Sequence, residues 1–396
     1  MFVAAARIRQ TADSVGLGKY ASTPIMPLIE FRHVAKRYGD RTVLADFSLD
    51  VSAGEFSVIL GPAGSGKSTI LRALCGIEDI DAGSIRIDGR NVSTMAPRER
   101  GCVLVSQGDA LYPKLTVAQN IAHPLKLAGI PRDERDATIA DLARTLRLDD
   151  VLGRRPGELT CGERLRVAIA RACARQPRVL LFDEPWSDLD PATRMELQFE
   201  LVSLHWRLDA TMVLVTRDQA AAMALADRVA VINRGEVEQS GTPRQIFGAP
   251  ASPFVAGYVG QPPMNLMFVG ASDAGLRLRG KPDLALPESL AAALSRRLAG
   301  DHHDDFLLGI RPQHVELGVD SGIPARVLGS EVVDDLRIVH LDISGQHAAA
   351  VAADGQHFPT GARVGVAFPP QACHVFLPPA PPPVRVAREA KVLEPA

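Results

Sequence analysis

The run Gly61-Pro62-Ala63-Gly64-Ser65-Gly66-Lys67-Ser68-Thr69 has the residue types and spacing of a loop that holds phosphate. Glycines at 61, 64 and 66 let backbone N–H groups turn inward around a pyrophosphate without side-chain clashes. Lys67 can then reach β- and γ-phosphates, and the Ser68 hydroxyl can ligate Mg²⁺. A chance match to this pattern is expected only on the order of 0.005 times in a chain of this composition. A second run, VLLFDEP over 179–185, carries Asp183 and Glu184 at its end. Asp183 is expected to hold the Mg²⁺ shell, and Glu184 to orient or deprotonate a water attacking the γ-phosphorus. An acidic pair after an apolar run is weak evidence alone, since such acids are commonly just solvated. Beside a phosphate loop it points to a bound nucleoside triphosphate.

Both runs need strands to deliver them and a helix to receive the anion. FSVIL precedes the loop and TILRALCG follows it, so the helix N-terminus faces the phosphates. Strands are predicted at Leu28–Val34, Phe56–Leu60, Val103–Ser106, Val179–Phe182 and Thr211–Val215. The last two are continuously apolar, as in parallel strands buried on both faces. Between them Met195, Phe199, Val202 and Trp206 recur at helical spacing and are expected to face the core. Helices are predicted over Val117–Ala128 and Arg132–Leu148, with Pro124 and Pro131 expected to cut the region into short pieces. After Gln261-Pro262-Pro263 short strands dominate. In Arg337–Ile343, Val339, Leu341 and Ile343 alternate with Ile338, His340 and Asp342, the pattern of a small antiparallel barrel or sandwich.

The expected organisation is an unstructured extension over 1–26, with Met26 opening the folded chain. An α/β nucleotide-binding domain follows over 27–262, with a helical sub-domain at about 108–162. An all-β domain spans 263–380, and a disordered tail 381–396. The N-terminal residues lack the apolar segment of a secretory signal. The hydrophobic share of 46% and charged share of 23% exclude wholesale disorder. A net charge of −2 does not suit a chain that coats nucleic acid. Cys75, Cys102, Cys161, Cys173 and Cys373 form no CxxC pair and read as reduced thiols. No apolar run approaches the roughly 18 residues that span a bilayer, so any membrane role is expected to run through a partner.

In these segments the chain resembles the ATP-binding subunits of ABC transporters. It is most similar to the importer group with an added C-terminal OB-like (TOBE) barrel, which serves maltose-type sugars, glycerol phosphate and polyamines. The resemblance covers about residues 27 to 377. It implies a P-loop NTPase fold, with ATP and Mg²⁺ as cofactors. Tyr38, in KRYGD, matches the aromatic that stacks on adenine. Gln107, in VSQGDALYPKLTV, matches the glutamine bridging the metal site and the helical sub-domain. Leu159-Thr160-Cys161-Gly162-Glu163 matches the signature that closes over a nucleotide held by the opposite subunit, and Asp190, in SDLD, matches a loop touching that subunit. Arg217, in TRDQAAAMALADR, stands in the switch segment. GTPRQIFGAP and GIRPQHVEL match the run into the barrel and the barrel's own signature.

The implied partners are integral membrane permease subunits, a solute-binding protein reached through them, and a second ABC subunit in a homodimer or heterodimer. The implied location is the cytoplasmic face of the membrane. The expected function is ATP hydrolysis that energises import of a small polar solute, with carbohydrate first. One alternative is a catalytically weak regulatory or heterodimer partner. Another is an ATPase acting on nucleic acid or ribosomes, which the charge balance disfavours.

Two positions depart from the family. Cys161 replaces a glycine, where a side chain is expected to hinder close approach or a positive φ. Arg217 replaces the switch histidine, and arginine cannot accept a proton. Losing one well-aimed transition-state group typically costs about 3–4 kcal/mol, on the order of 100–1000-fold in rate.

Overall fold

β1 (Pro27–Tyr38) and β2 (Arg41–Ser52) form the hairpin that opens the described chain, and β3 (Phe56–Leu60) follows with every residue buried. The computed structural model describes residues 27–106, 111–208, 210–272, 275–280, 284–298, 305–333, 335–353 and 355–377. The expected N-terminal extension, the tail and Gln107 lie outside these residues. Among those described, no helix is long and apolar enough to cross a membrane.

The phosphate loop leads from β3 into α1 (Lys67–Cys75). β4 (Ala82–Ile87) and β5 (Arg90–Asn91) then complete a four-stranded antiparallel sheet in the order β2-β1-β4-β5. After β6 (Cys102–Val105) come α2 (Val117–Leu127), α3 (Arg132–Thr145) and α4 (Cys161–Cys173). β7 (Val179–Asp183), α5 (Pro191–Leu208), β8 (Thr211–Thr216), α6 (Gln219–Leu225), β9 (Arg228–Asn233), β10 (Glu236–Gly241) and α7 (Pro243–Gly248) complete the first unit. The larger sheet runs β10-β9-β3-β8-β7-β6. Its pairs from β9 to β6 are parallel, so the ends of β3, β7 and β8 emerge on one side. Ile70, Leu71 and Leu74 of α1 pack in one apolar cluster with Phe31 and Phe47 of the small sheet and Ile59, Leu181 and Val215 of the large one. The helix that receives phosphate is thereby fixed from two sides.

Two expectations fail here. Pro124 does not end a helix: α2 runs through it to Leu127. The bond lost is to the Asn120 carbonyl, in the last turns. Upstream the helix is held by a Thr116–Gln119 capping box, by buried Val117, Ile121 and Leu125, and by the buried Asn120 amide, which donates to the Tyr112, Leu115 and Thr116 carbonyls. Pro131 does separate α2 from α3.

The stripe on α5 is the second. Met195, Phe199 and Trp206 are 56%, 44% and 56% exposed, whereas Leu197, Leu201 and Leu204 are buried. Both sets recur at helical spacing. The buried face also carries Glu200, a charge that makes it look solvated in sequence although it pairs with Arg166 of α4 at 2.9 Å. Leu201→Ala is therefore expected to cost about 2–5 kcal/mol in denaturant unfolding. Trp206→Ala is expected to cost less than about 1 kcal/mol, as for exposed positions.

The chain divides into two compact units between Ala251 and Ser252. The second begins with α8 (Pro253–Tyr258), ahead of the composition change at residue 262, because Ala256 packs with Met264 and Phe376. Buried Arg311, from GIRPQHVEL, donates to the carbonyls of Ala256 and Val259. β11 (Asn265–Ser272), β12 (Gly275–Leu278), β13 (Leu284–Ala285), α9 (Glu288–Leu298) and β14 (Asp305–Ile310) come next. β15 (Glu316–Leu317), β16 (Ile323–Val333), β17 (Leu336–Ile343), β18 (Gln346–Ala352), β19 (Arg363–Ala367) and β20 (Cys373–Phe376) finish the unit. Two five-stranded antiparallel sheets, β13-β12-β11-β14-β20 and β15-β19-β16-β17-β18, share one core. Val339, Leu341 and Ile343 point into it as expected, but Ile338 is buried too. The unit is not wholly β: α9 buries Leu290 and Leu294 in that core.

Candidate nucleotide site

Three strand ends and one loop build the site. β3 ends at Gly61, where a side chain has no room: a Cβ would lie 2.6 Å from the Ile232 carbonyl oxygen and 2.7 Å from Ser65 Oγ. Gly64 and Gly66 take φ of 75° and 100°, the left-handed region that glycine enters without steric cost. The chain thus curls through Pro62, Ala63, Gly64, Ser65 and Gly66 before Lys67 starts α1, whose first turn includes Ser68 and Thr69.

Lys67 Nζ folds back over the loop and donates to the Gly61 and Pro62 carbonyls at 2.9 and 2.8 Å. It also lies 3.6 Å from Glu184 Oε1. Burial pushes its pKa down, and Glu184 opposes that shift. Ser68 Oγ donates to Asp183 Oδ1 at 2.9 Å, joining the helix start to the end of β7. Burial raises the Asp183 carboxyl, while the Ser68 bond acts to lower it. A hydroxyl and a partly buried carboxylate in contact, beside the phosphate loop, are the hard oxygen donors Mg²⁺ requires. Ser65 Oγ is buried with no hydrogen-bond partner among the described residues. An orphaned hydroxyl inside a cradle of inward-turned N–H groups fits a missing phosphate oxygen.

Glu184 has a φ of 43°, unusual for a side-chain-bearing residue, and its N–H donates to the Val215 carbonyl at 3.0 Å. This ties β7's exit to β8, whose own exit brings in Arg217. The Arg217 Nε donates to Glu184 Oε2 at 3.0 Å. Both carboxylate oxygens of Glu184 therefore face a cation. The substitution at 217 was legible in sequence, but this pairing was not. Tyr38, 43% exposed at the end of β1, lies under Lys36 Nζ, 5.2 Å from the ring centroid.

The signature residues form a second group, and among the described residues none of them bonds to the phosphate loop. Thr160 caps α4: its Oγ1 accepts from Glu163 N at 3.2 Å, and Glu163 Oε2 accepts from Thr160 N at 2.7 Å. That backbone bond holds the Glu163 carboxyl below its ordinary range. Cys161 does not need the positive φ that a glycine there suggests: it is the exposed first residue of α4, with Arg164 Nη2 3.0 Å from its sulfur. Gly162 is needed for a reason absent from sequence, since a Cβ would lie 2.7 Å from Thr193 Cγ2 of α5.

Asp190 caps that same helix, accepting from Ala192 N and Thr193 N at 3.1 and 3.0 Å. One turn on, Arg166 fixes α4 to α5 through Glu200 at 2.9 and 3.1 Å and Glu196 at 3.0 Å. Arg194 donates to the Leu189 carbonyl at 3.1 Å and lies 3.7 Å from Asp218, the residue after Arg217. The signature edge, the Asp190 loop and the switch segment thus share one helix. Sequence reasoning missed Arg166 and Arg194, and an arginine at a core-facing position of an amphipathic helix was the available signal.

Residues 44–187 match the family model described as ABC transporter, and residues 308–376 match the TOBE domain. The chain is 43% identical over 356 residues to the sn-glycerol-3-phosphate import ATP-binding protein UgpC 2 of Agrobacterium fabrum, covering 89% of this chain and 93% of that protein. It is 39% identical over 351 residues to UgpC of Salmonella typhi, covering 88% and 97%. Among solved structures, cbiO1 from Clostridium perfringens, part of the ABC transporter complex cbiONQ, matches with a TM-score of 0.53 at 25% identity. That match covers 57% of this chain and 92% of that one.

Proposed function

Because the chain belongs to the ATP-binding subunits of ABC importers that carry a C-terminal TOBE domain, and so hydrolyses ATP to energise import, we propose that it drives uptake of sn-glycerol 3-phosphate or a closely related polar solute. Relatives at about 40% identity over nearly their whole length carry that solute in their names. In this proposal two copies close on two ATP molecules. Each nucleotide lies on the Lys67 loop of one copy and against the Thr160–Gly162 edge of the other, with Glu163 and Asp190 bordering it. The observation that carries the reading is the junction of Lys67, Ser68, Asp183 and Glu184 at neighbouring strand ends.

Each residue then has a task. The N–H groups of the loop and Lys67 bind the β- and γ-phosphates, and Tyr38 offers its ring to adenine. Ser68 and Asp183, with Gln107, would hold Mg²⁺, which when bound would supply charge neutralisation for phosphoryl transfer. Glu184 orients water and takes its proton once ATP draws Lys67 to phosphate, at a rate that the Arg217 bond limits. The partners are permease subunits at the cytoplasmic face of the membrane. They would engage the groove of about 250 Å³ between α2 and α4, lined by Ser106, Tyr112, His123, Leu127 and Arg171.

The complex with its permease and solute-binding protein, in proteoliposomes, tests the solute. Binding protein loaded with sn-glycerol 3-phosphate is expected to stimulate ATP hydrolysis. Stimulation by a sugar or a polyamine and not by glycerol phosphate would overturn that assignment. The Arg217–Glu184 bond favours a second reading, a slow subunit paired with a competent one, and two distinct ATP-binding chains in the purified complex would support it.

A further inference from the structure

A cation outside the phosphate motif stands at the mouth of the loop. β2 begins at Arg41, which pairs with Tyr38 across the turn at Gly39 and Asp40. From there the strand runs beside the loop. Arg41 Nη2 lies 3.5 Å from the position a Cβ would take on Gly64, while the Val43 carbonyl oxygen and Leu44 Cδ2 lie 3.3 and 2.8 Å from that of Gly66. These approaches at two glycines fix the start of β2 against the turn that curls around phosphate. Arg41 is exposed, and among the described residues its guanidinium makes no hydrogen bond or ion pair. The neighbouring cation, Lys36, is already engaged by the Asp79 carbonyl oxygen and by Glu78.

We propose that Arg41 is a phosphate-binding residue of the nucleotide site, its guanidinium pairing with the nucleotide's phosphate oxygens where the chain of phosphates leaves the loop toward Tyr38. The inference rests on the nucleotide reading above. The start of β2 lies between the two ends of the nucleotide: the loop on one side and the Tyr38 ring on the other. A planar fork of donors suits phosphate oxygens better than an ammonium does, and among the described residues no carboxylate pairs with it. The positive charge also lies where it attracts a polyanion approaching from solvent.

Equilibrium titration of the full-length protein with Mg·ATP, Mg·ADP and AMP tests this. Arg41→Ala is expected to raise Kd for ATP and ADP by about 5–20-fold at low salt, with a smaller loss in about 0.5 M salt where exposed charges are screened. Arg41→Lys should recover part of the affinity, and Arg41→Glu should bind more weakly than Arg41→Ala. Circular dichroism spectra that match wild type separate this loss from misfolding. Kd values for Arg41→Ala and Arg41→Glu equal to wild type would overturn the proposal and leave the nucleotide site standing. Absence of saturable ATP binding by the wild type would instead overturn the site itself.

Discussion

Glu184→Gln is expected to lower the steady-state rate of ATP hydrolysis by about 100–1000-fold while ATP affinity stays within a few-fold of wild type. The amide has the shape of the carboxylate but cannot take a proton from the attacking water. The residues expected to grip ATP and Mg²⁺ are left intact: Lys67 keeps its bonds to the Gly61 and Pro62 carbonyls, and Ser68 keeps Asp183. Removing a negative charge 3.6 Å from Lys67 Nζ also frees that ammonium for phosphate. Phosphate release and nucleotide titration on the same preparation separate the two effects. A rate within about tenfold of wild type would remove Glu184 from the chemistry.

Arg217→His is expected to act in the opposite direction, raising the single-turnover rate on the order of 100-fold with little change in ATP affinity. In the wild-type chain the Arg217 Nε bond at 3.0 Å and the Lys67 contact at 3.6 Å put cations against both oxygens of Glu184. A carboxylate with both oxygens so engaged has fewer lone pairs free to receive the attacking water. ATP can draw Lys67 away to phosphate, but Arg217, more than half exposed, keeps its own hold. A neutral imidazole accepts as well as donates a hydrogen bond and leaves one oxygen of Glu184 free for water. An unchanged or lower rate in Arg217→His would mean that arginine already performs the switch's task.

The phosphate loop, the acidic pair and the parallel strands were legible because their chemistry depends on neighbours in sequence. A cradle of N–H groups needs its glycines within a few positions, and a doubly buried strand needs an unbroken apolar run. What escaped depends on partners far along the chain. The hidden face of α5 could not be chosen from spacing, since Leu197, Leu201 and Leu204 and the exposed stripe share one period. The choice is made by Arg166, whose guanidinium satisfies Glu200. β2 was missed because its burial alternates irregularly and its pairing with β1 shifts register at several points. α9 went unseen among Gly- and Pro-bounded strands, although Leu290, Leu294 and Leu298 carry its period. Gly162 matched a family signature, yet the Thr193 methyl that excludes a side chain there comes from another helix.

The two-copy clamp is tested most directly by the mass of the Glu184→Gln protein in sedimentation equilibrium with saturating Mg·ATP. Two chains per particle are expected, with two ATP bound, and one chain per particle once Lys67→Ala is added. A single-chain mass with ATP bound, or a two-chain particle that survives Lys67→Ala, would contradict it.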